Sequence, residues 1–282
     1  MIRRLAVVGL GLLGGSVAKA ARRRGLAREV VAVGRRNESL APALAEGVVD
    51  RATTDLAAGL DGADFVILAT PVATIEALVP RVWRAAADGA IITDVGSTKS
   101  PIVRSAERLA AERPLAFVGS HPMTGSELAG YQAARADLFD EALVIVTPTD
   151  STDRLALKRV SEFWEALGAR VSAMDPEDHD RAVAAVSHLP HLVAYALVDA
   201  VARVDPSCFG VAARGFKDTT RIAASDARLW RDIFLTNRGA LGEAVAAFKA
   251  SLAELERLVA GDGGAALERE LERIRQIRSR LE

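Results

Sequence analysis

The sequence predicts an α/β fold, with a doubly wound sheet at the N-terminus followed by an all-α C-terminal domain. Short apolar runs alternate with longer amphipathic stretches in the first part of the chain, as they do where parallel strands are joined by crossover helices. After Met174 the strand pattern stops and only helical periodicities remain. The 282 residues suffice for two cores. We therefore predict one domain over residues 1–174 and a second over residues 175–282.

The candidate strands are short apolar runs bounded by polar or glycine-containing segments. They are residues 4–8, 30–34, 65–69, 90–94, 116–119, 143–147 and 170–173. The helical domain is predicted to begin at Asp175, because a carboxylate that precedes Pro176 is a typical helix start.

The second domain carries much apolar surface. Residues 239–259 place apolar side chains at alternating steps of four and three, a heptad-type seam that requires a partner helix. Residues 182–202 are almost wholly apolar, but His188, Pro190 and Asp199 interrupt them, so we predict a buried helix and no membrane span. This surplus of apolar surface predicts a two-fold homodimer formed through the C-terminal domain.

Composition excludes several classes of function. The formal net charge of −1 gives no field that would attract nucleic acid or an anionic membrane. A single cysteine, Cys208, rules out an intrachain disulfide framework and indicates a reducing cytoplasm. The four histidines are scattered without metal-ligand spacing, so no metal is predicted.

A glycine-rich loop follows the first predicted strand and opens the helix predicted over residues 16–24. Gly9 allows a tight turn, Gly11 lets the backbone approach a pyrophosphate, and Gly14 lets the helix pack on the strand, with Leu12 and Leu13 between them. This context predicts a Rossmann-type domain that binds a nicotinamide dinucleotide. The alternatives are an ordinary glycine turn and the related loop of a nucleoside-binding methyltransferase.

The end of the second predicted strand bears on the choice of cofactor. A chain that prefers NAD usually carries Asp or Glu here for the ribose hydroxyls, whereas this chain has Gly34, Arg35 and Arg36. Two guanidiniums suit a 2′-phosphate, so NADP is favoured over NAD. The alternative is that both arginines are solvated and NAD binds without an acidic clamp. Thr70 and Pro71, after the third predicted strand, are also assigned to the cofactor side.

Two polar segments follow later strands, where ligands bind in open sheets. Ser97 lies just after the strand over residues 90–94, on the nicotinamide side. His121 lies just past the strand over residues 116–119, on a corner fixed by Pro122 and Gly125. An imidazole suits removal of a hydroxyl proton at neutral pH, so we predict that His121 is a general base. The alternative is an ordinary surface histidine.

The helical domain contributes a third set of polar residues. Arg221 lies in a mostly apolar region and suits a substrate carboxylate, although a structural salt bridge with Asp218 is an equal alternative. His188 and His191 share one helical face around Pro190. For His188 a satisfied core histidine is as good an interpretation as a site residue.

Taken together, these motifs resemble the prephenate/arogenate (cyclohexadienyl) dehydrogenase family of tyrosine biosynthesis. The resemblance rests on the glycine loop, DVGSTK at 94–99, GSHPMTGSE at 119–127, SHLPH at 187–191, GFKDTTRIA at 215–223 and WRDIF at 230–234. It implies a helical domain that builds a dimer, and a monofunctional enzyme that decarboxylates prephenate or arogenate oxidatively.

The resemblance also implies roles for individual residues. His121 would bond the ring hydroxyl and assist hydride transfer, Ser97 would orient it, and Arg221 would bind a substrate carboxylate. The remaining assignments are His191, His188, Ser120, Thr124 and Gly125 on the substrate side, and Glu127 and Asp218 as acidic groups at the site entrance.

Two other functions remain open at this point. A β-hydroxyacid dehydrogenase shares the two-domain plan but needs a catalytic lysine in the helical domain, for which Lys217 and Lys249 are poorly placed. A cofactor-binding redox sensor without turnover would leave Ser97, His121 and Arg221 without a purpose.

Overall fold

The structure is a computed structural model that describes residues 1–113, 115–125, 128–261 and 263–281. The chain forms two compact units, Met1–Asn237 and Arg238–Glu282. The first contains a sheet with helices on both faces, and the second contains two helices, α11 and α12, whose bounds are given below.

In the described residues eight strands form one sheet in the order β3-β2-β1-β4-β5-β6-β7-β8. Neighbouring strands are parallel except for β6 and β7, which are antiparallel. Their bounds are β1 Ile2–Val8, β2 Ala27–Val33, β3 Arg51–Thr53, β4 Phe65–Leu68, β5 Ile91–Asp94, β6 Ala116–Pro122, β7 Leu143–Thr147 and β8 Arg170–Ala173.

The helices of the first unit include the crossovers between parallel strands. They are α1 Leu12–Arg23, α2 Asn37–Ala45, α3 Leu56–Leu60, α4 Val72–Ala85, α5 Ser100–Ala110, α6 Arg154–Ala166, α7 Pro176–Val183, α8 Leu189–Val204, α9 Arg214–Thr220 and α10 Ala227–Thr236. A π-helical turn, Ala184–His188, joins α7 to α8. The second unit consists of α11 Arg238–Ala260 and α12 Gly264–Arg278, followed by a short 3₁₀ turn.

The core lies on both faces of the sheet. Apolar residues run without alternation through the central strands, because helices cover both faces of a parallel sheet. Leu5 and Val7 of β1 face one hydrophobic cluster, and Ala6 between them faces the other. All three are fully buried, so the central strands form the core of the first unit.

The predicted fold class is confirmed by this arrangement of a doubly wound sheet followed by helices. The strand β3 was not predicted, because its three residues, Arg51–Thr53, offer no apolar run. The last strand ends at Ala173, and the Asp175 carboxylate caps α7 by accepting from two backbone N–H groups. The domain boundary at 174 stays a prediction, since α7 to α10 belong to the same compact unit as the sheet.

The expected burial of the apolar helix over residues 182–202 is wrong for the single chain. The helical stretch Pro176–Val204 is long and apolar enough to cross a membrane by length and composition alone, and only 22% of its most apolar window is buried. Within α8 only Ala194 is buried. The α11 seam is likewise uncovered, with Phe248, Leu252 and Val259 exposed. Both units therefore present apolar helix surface that this single chain does not cover.

Candidate active site

The glycine loop after β1 has the geometry that a dinucleotide requires. Gly9 has φ of +99°, and a Cβ there would lie 2.7 Å from the Ala69 carbonyl oxygen. A Cβ on Gly14 would overlap the Gly9 carbonyl oxygen, whereas one on Gly11 would enter open space. Gly9 thus permits the turn, Gly14 permits the packing of α1, and Gly11 leaves the backbone approachable by a ligand.

The surroundings of this loop also fit a bound dinucleotide. Helix α1 begins at Leu12, and no side chain caps its N-terminus, so its first N–H groups and the positive end of its dipole can receive phosphate. The Thr70 hydroxyl is buried without a hydrogen-bond partner among the described residues. Pro71 follows it at the start of α4. These residues fit the predicted nicotinamide dinucleotide.

The end of β2 holds the two predicted phosphate-binding arginines. A Cβ on Gly34 would lie 2.8 Å from Leu40, so packing of α2 leaves little room for a side chain at that position. Arg35 and Arg36 are exposed, and neither forms an ion pair with another described residue. Both guanidiniums are therefore available to a ligand.

His121 lies inside a strand, and its predicted place on a corner beyond the strand is wrong. It is the sixth residue of β6 and pairs with Ile145 of the antiparallel β7. β5 stops at Asp94, three residues before Ser97, so both site residues lie at the carboxyl edge of these parallel strands. The pairing with β7 supplies the rigidity that the sequence analysis attributed to Pro122.

A buried ion pair joins the Ser97 loop to the His121 strand. Lys99 and Asp94 are both fully buried and bonded to each other. The Lys99 ammonium also donates to the Ser120 carbonyl at 2.9 Å, and the Asp94 carboxylate accepts from the N–H groups of Ser120 and Gly96. Burial lowers the pKa of Lys99, and the Asp94 carboxylate opposes that change. Removing either partner would leave an unpaired buried charge, so the pair fixes both segments.

Ser120 does not face the site, contrary to its assignment to the substrate side. Its hydroxyl lies in the core, 2.7 Å from the Thr93 hydroxyl, and accepts from the Trp164 indole N–H at 3.1 Å. Thr124 donates to the Leu138 carbonyl at 3.3 Å, and Gly125 is exposed, so their substrate roles stay predictions. Glu127 lies outside the described residues.

Two residues that the sequence analysis missed, His179 and Asp180, contact the predicted base. His179 of α7 lies with Nε2 2.9 Å from His121 Nδ1. On its other side, His179 Nδ1 lies 2.9 Å from an Asp180 carboxylate oxygen. That carboxylate also accepts from the backbone N–H groups of Lys99 and Ser100, where α5 begins. A continuous buried chain of hydrogen bonds thus leads from the start of α5 to His121.

The environment of His121 keeps its imidazole neutral. Burial lowers its pKa well below 6.5, and positive charge on His179, Lys99 or His188 would lower it further. A neutral imidazole has one bare nitrogen that can accept a proton. The structure thus gives His121 the protonation state that a general base requires.

His188 has the surroundings of a core histidine. It is 1% exposed, and its Nδ1 lies 3.2 Å from the Asn237 amide nitrogen, which also donates to the Asp180 carbonyl. Burial lowers the pKa of His188 to about 4, with charge on the neighbouring histidines adding to the effect and Asp180 opposing it. This geometry favours the structural alternative over direct contact with substrate.

His191 and Arg221 lie on the more accessible side of the helical segment. His191 donates from Nδ1 to the Ser187 carbonyl at 3.0 Å and stacks on Trp230, with 3.4 Å between ring centroids. Burial lowers the pKa of His191, and the Arg221 charge adds to this effect. Arg221 is exposed and starts a 3₁₀ turn.

The proposed salt bridge between Arg221 and Asp218 is wrong. Asp218 pairs instead with Arg214, one helical turn earlier, with N and O 3.2 Å apart. The Arg221 guanidinium has no carboxylate partner among the described residues, which leaves it available for a ligand. Among all the residues that the structure describes, no group of three or more His, Cys, Asp or Glu side chains could hold a metal ion.

Comparison with known proteins places these features in one family. The model of the prephenate dehydrogenase nucleotide-binding domain matches residues 17–173, and that of the prephenate dehydrogenase dimerization domain matches residues 175–273. A prephenate dehydrogenase from Bacillus subtilis is 36% identical over 82% of this chain. The matched region spans 63% of the length of that relative.

Solved structures of prephenate and arogenate dehydrogenases are also similar to this chain. Prephenate dehydrogenase from Aquifex aeolicus, in complex with hydroxyphenyl propionate and NAD+, superposes with a TM-score of 0.94 at 36% identity, covering 100% of this chain and 99% of that one. Synechocystis arogenate dehydrogenase gives a TM-score of 0.83 at 32% identity over 99% of this chain and 100% of that one. The dinucleotide loop, the neutral His121 and the helical segment with its unpaired Arg221 therefore have their explanation in common descent: the chain belongs to the prephenate dehydrogenase family.

Proposed function

We propose that this chain catalyses the oxidative decarboxylation of prephenate or arogenate with NADP as the preferred hydride acceptor. The observation that carries the proposal is a buried, neutral His121 at the carboxyl edge of a dinucleotide-binding sheet, in a chain of this family. Both compounds are cyclohexadienols whose ring bears a hydroxyl and a carboxylate. An exposed, unpaired Arg221 suits the carboxylate.

The chemistry balances without a metal ion. A bound nicotinamide dinucleotide would supply the hydride acceptor, and the hydride would come from the ring carbon that bears the hydroxyl. His121 accepts the hydroxyl proton through its bare nitrogen and returns it to the phenolate oxygen after the ring carboxylate has left as carbon dioxide. The electron pair of the broken C–C bond replaces the pair lost as hydride, so the ring becomes aromatic.

The active form is a homodimer. The family's dimerization-domain model covers residues 175–273, and helix surfaces in that range are apolar and uncovered in the single chain. A second copy of the chain accounts for both observations. The location expected for such a biosynthetic enzyme is the cytoplasm.

The test of this function is a steady-state assay of the purified protein with prephenate, arogenate and a simple β-hydroxyacid. We expect reduction of the nicotinamide with at least one cyclohexadienol and none with the β-hydroxyacid. Turnover of the β-hydroxyacid alone would identify the β-hydroxyacid dehydrogenase alternative. Cofactor binding without turnover of any compound would identify the redox sensor.

The NADP preference is tested by Arg35→Asp. We expect the Kd of NADP to rise about 10- to 100-fold, because a charge-assisted contact to phosphate worth roughly 1.5–3 kcal/mol is lost. Arg28→Asp is the matched control, since Arg28 is also exposed but lies near the opposite end of β2. Titration calorimetry of the unmodified protein and both variants measures the Kd values of NADP and NAD. Tighter binding of NAD than of NADP by the unmodified protein would refute the preference.

A further inference from the structure

We propose that His179 and Asp180 are positioning residues that hold His121 in the one tautomer able to accept the substrate proton. The inference deepens the proposed function, because it assigns a purpose to the hydrogen bonds behind the proposed base. It rests on the hydrogen bonds that link the buried side chains of Asp180, His179 and His121.

The Asp180 carboxylate fixes the direction of this path. One oxygen accepts from the Lys99 backbone N–H at 2.7 Å, and the other accepts from the Ser100 N–H at 2.9 Å. Backbone N–H groups can only donate, so the side chain must act as an acceptor. Burial opposes ionisation, but the hydrogen bonds from His179, Lys99 and Ser100 hold the pKa of Asp180 below its usual value. Asp180 is therefore a carboxylate.

For neutral imidazoles, the proton positions on both rings follow from that carboxylate. His179 Nδ1 lies 2.9 Å from Asp180 and must donate its proton to it. A neutral His179 then has a bare Nε2, which accepts from His121 Nδ1 at 2.9 Å. Because the only proton of neutral His121 is on Nδ1, its Nε2 is bare.

Among the residues that the structure describes, the other groups around His121 do not set this tautomer. Lys99 bonds to Asp94 and to the Ser120 carbonyl, and His188 bonds to Asn237. Both oppose a positive charge on His121 without bonding to its ring. His179 is thus the group whose hydrogen bond selects the proton position.

The arrangement also helps the base once it is protonated. When His121 Nε2 takes the proton, the ring becomes an imidazolium that donates from Nδ1 toward His179. The Asp180 carboxylate then lies one imidazole away and stabilises that charge through the polarised hydrogen bonds. Holding the base of an enzyme in the wrong tautomer can lower kcat about 10⁴-fold. Loss of the pair that positions His121 should therefore lower kcat substantially.

The experiment uses His179→Phe and His179→Gln in the full-length protein. Phenylalanine keeps a flat ring but removes both hydrogen bonds, whereas the glutamine amide oxygen can still accept from His121 Nδ1. We expect kcat to fall about 10- to 10³-fold in the Phe variant and by less in the Gln variant, with KM values unchanged. Val183→Ala is the matched control, because Val183 is buried one turn later on α7 and bears no polar group.

A second readout reports the tautomer directly. The chain has four histidines, so ¹⁵N NMR of labelled imidazoles can resolve His121. We expect Nδ1 of His121 to be protonated in the unmodified protein and in Val183→Ala, and the Nε2-protonated tautomer to appear in His179→Phe. A wild-type His121 protonated on Nε2 would overturn the inference, as would a His179→Phe kcat equal to that of the control. Because the NMR experiment needs no turnover, a failure of the proposed function would not decide its result.

Discussion

Replacing His121 with asparagine is expected to lower kcat by about 10²–10⁴-fold, the usual contribution of a general base. The cofactor Kd should stay constant, since the substitution leaves unchanged the glycine loop and Thr70, the residues proposed to hold the dinucleotide. Steady-state kinetics and calorimetry measure the two quantities, and the melting temperature checks that the variant is folded. A kcat near that of the unmodified protein would remove His121 from the mechanism.

The pH profile carries a second signature of the same residue. The neutral imidazole is the active form, so activity is present above the pKa of His121 and is lost as pH falls through it. Burial places that pKa well below 6.5. The acid limb of kcat/KM should therefore lie at a pH well below the pKa of a solvent-exposed histidine. A limb near 6.5 would contradict the burial of the base.

Arg221→Ala is expected to raise the KM of the cyclohexadienol about 10- to 100-fold, with a smaller effect on kcat. The physical reason is the loss of a charge-assisted bond to the substrate carboxylate, worth roughly 1.5–3 kcal/mol in both the ground state and the transition state. Because Arg221 is exposed and has no carboxylate partner in the described residues, the melting temperature should not change.

Arg214→Ala is the matched control for this experiment. Arg214 is an exposed arginine at the start of α9 whose partner is Asp218. Its loss removes the same charge nearby without removing the proposed carboxylate ligand. An equal rise of KM in both variants would indicate a general electrostatic effect, and an unchanged KM in Arg221→Ala would refute the assignment.

The sequence predicted those features whose physical cause is local. The glycine spacing at 9–14 predicts the turn and the close packing of α1, and apolar runs predict every strand except β3. β3 has no apolar run, because its pairing with β2 at the edge of the sheet, and not its composition, makes it a strand. The place of His121 inside β6 was missed for a similar reason, since β7, which extends the pairing, lies more than twenty residues further along the chain.

The site residues that the sequence did not reveal depend on distant partners. Ser120 was assigned to the substrate side by the family resemblance, yet Trp164, 44 residues away, holds its hydroxyl in the core. His179 lies in the polar start of α7, a pattern typical of a solvated first turn, and its partner His121 is 58 residues away. The signal that could have drawn attention to it is a histidine beside an aspartate at positions 179–180, in a chain with only four histidines.

The most direct test of the central claim is the stoichiometry of carbon dioxide and reduced nicotinamide formed from prephenate or arogenate. A base at His121 that starts hydride transfer, followed by aromatisation, predicts equal amounts of the two products at every time point. Reduced nicotinamide without carbon dioxide would show a simple alcohol oxidation, and would contradict the assignment of this site to oxidative decarboxylation.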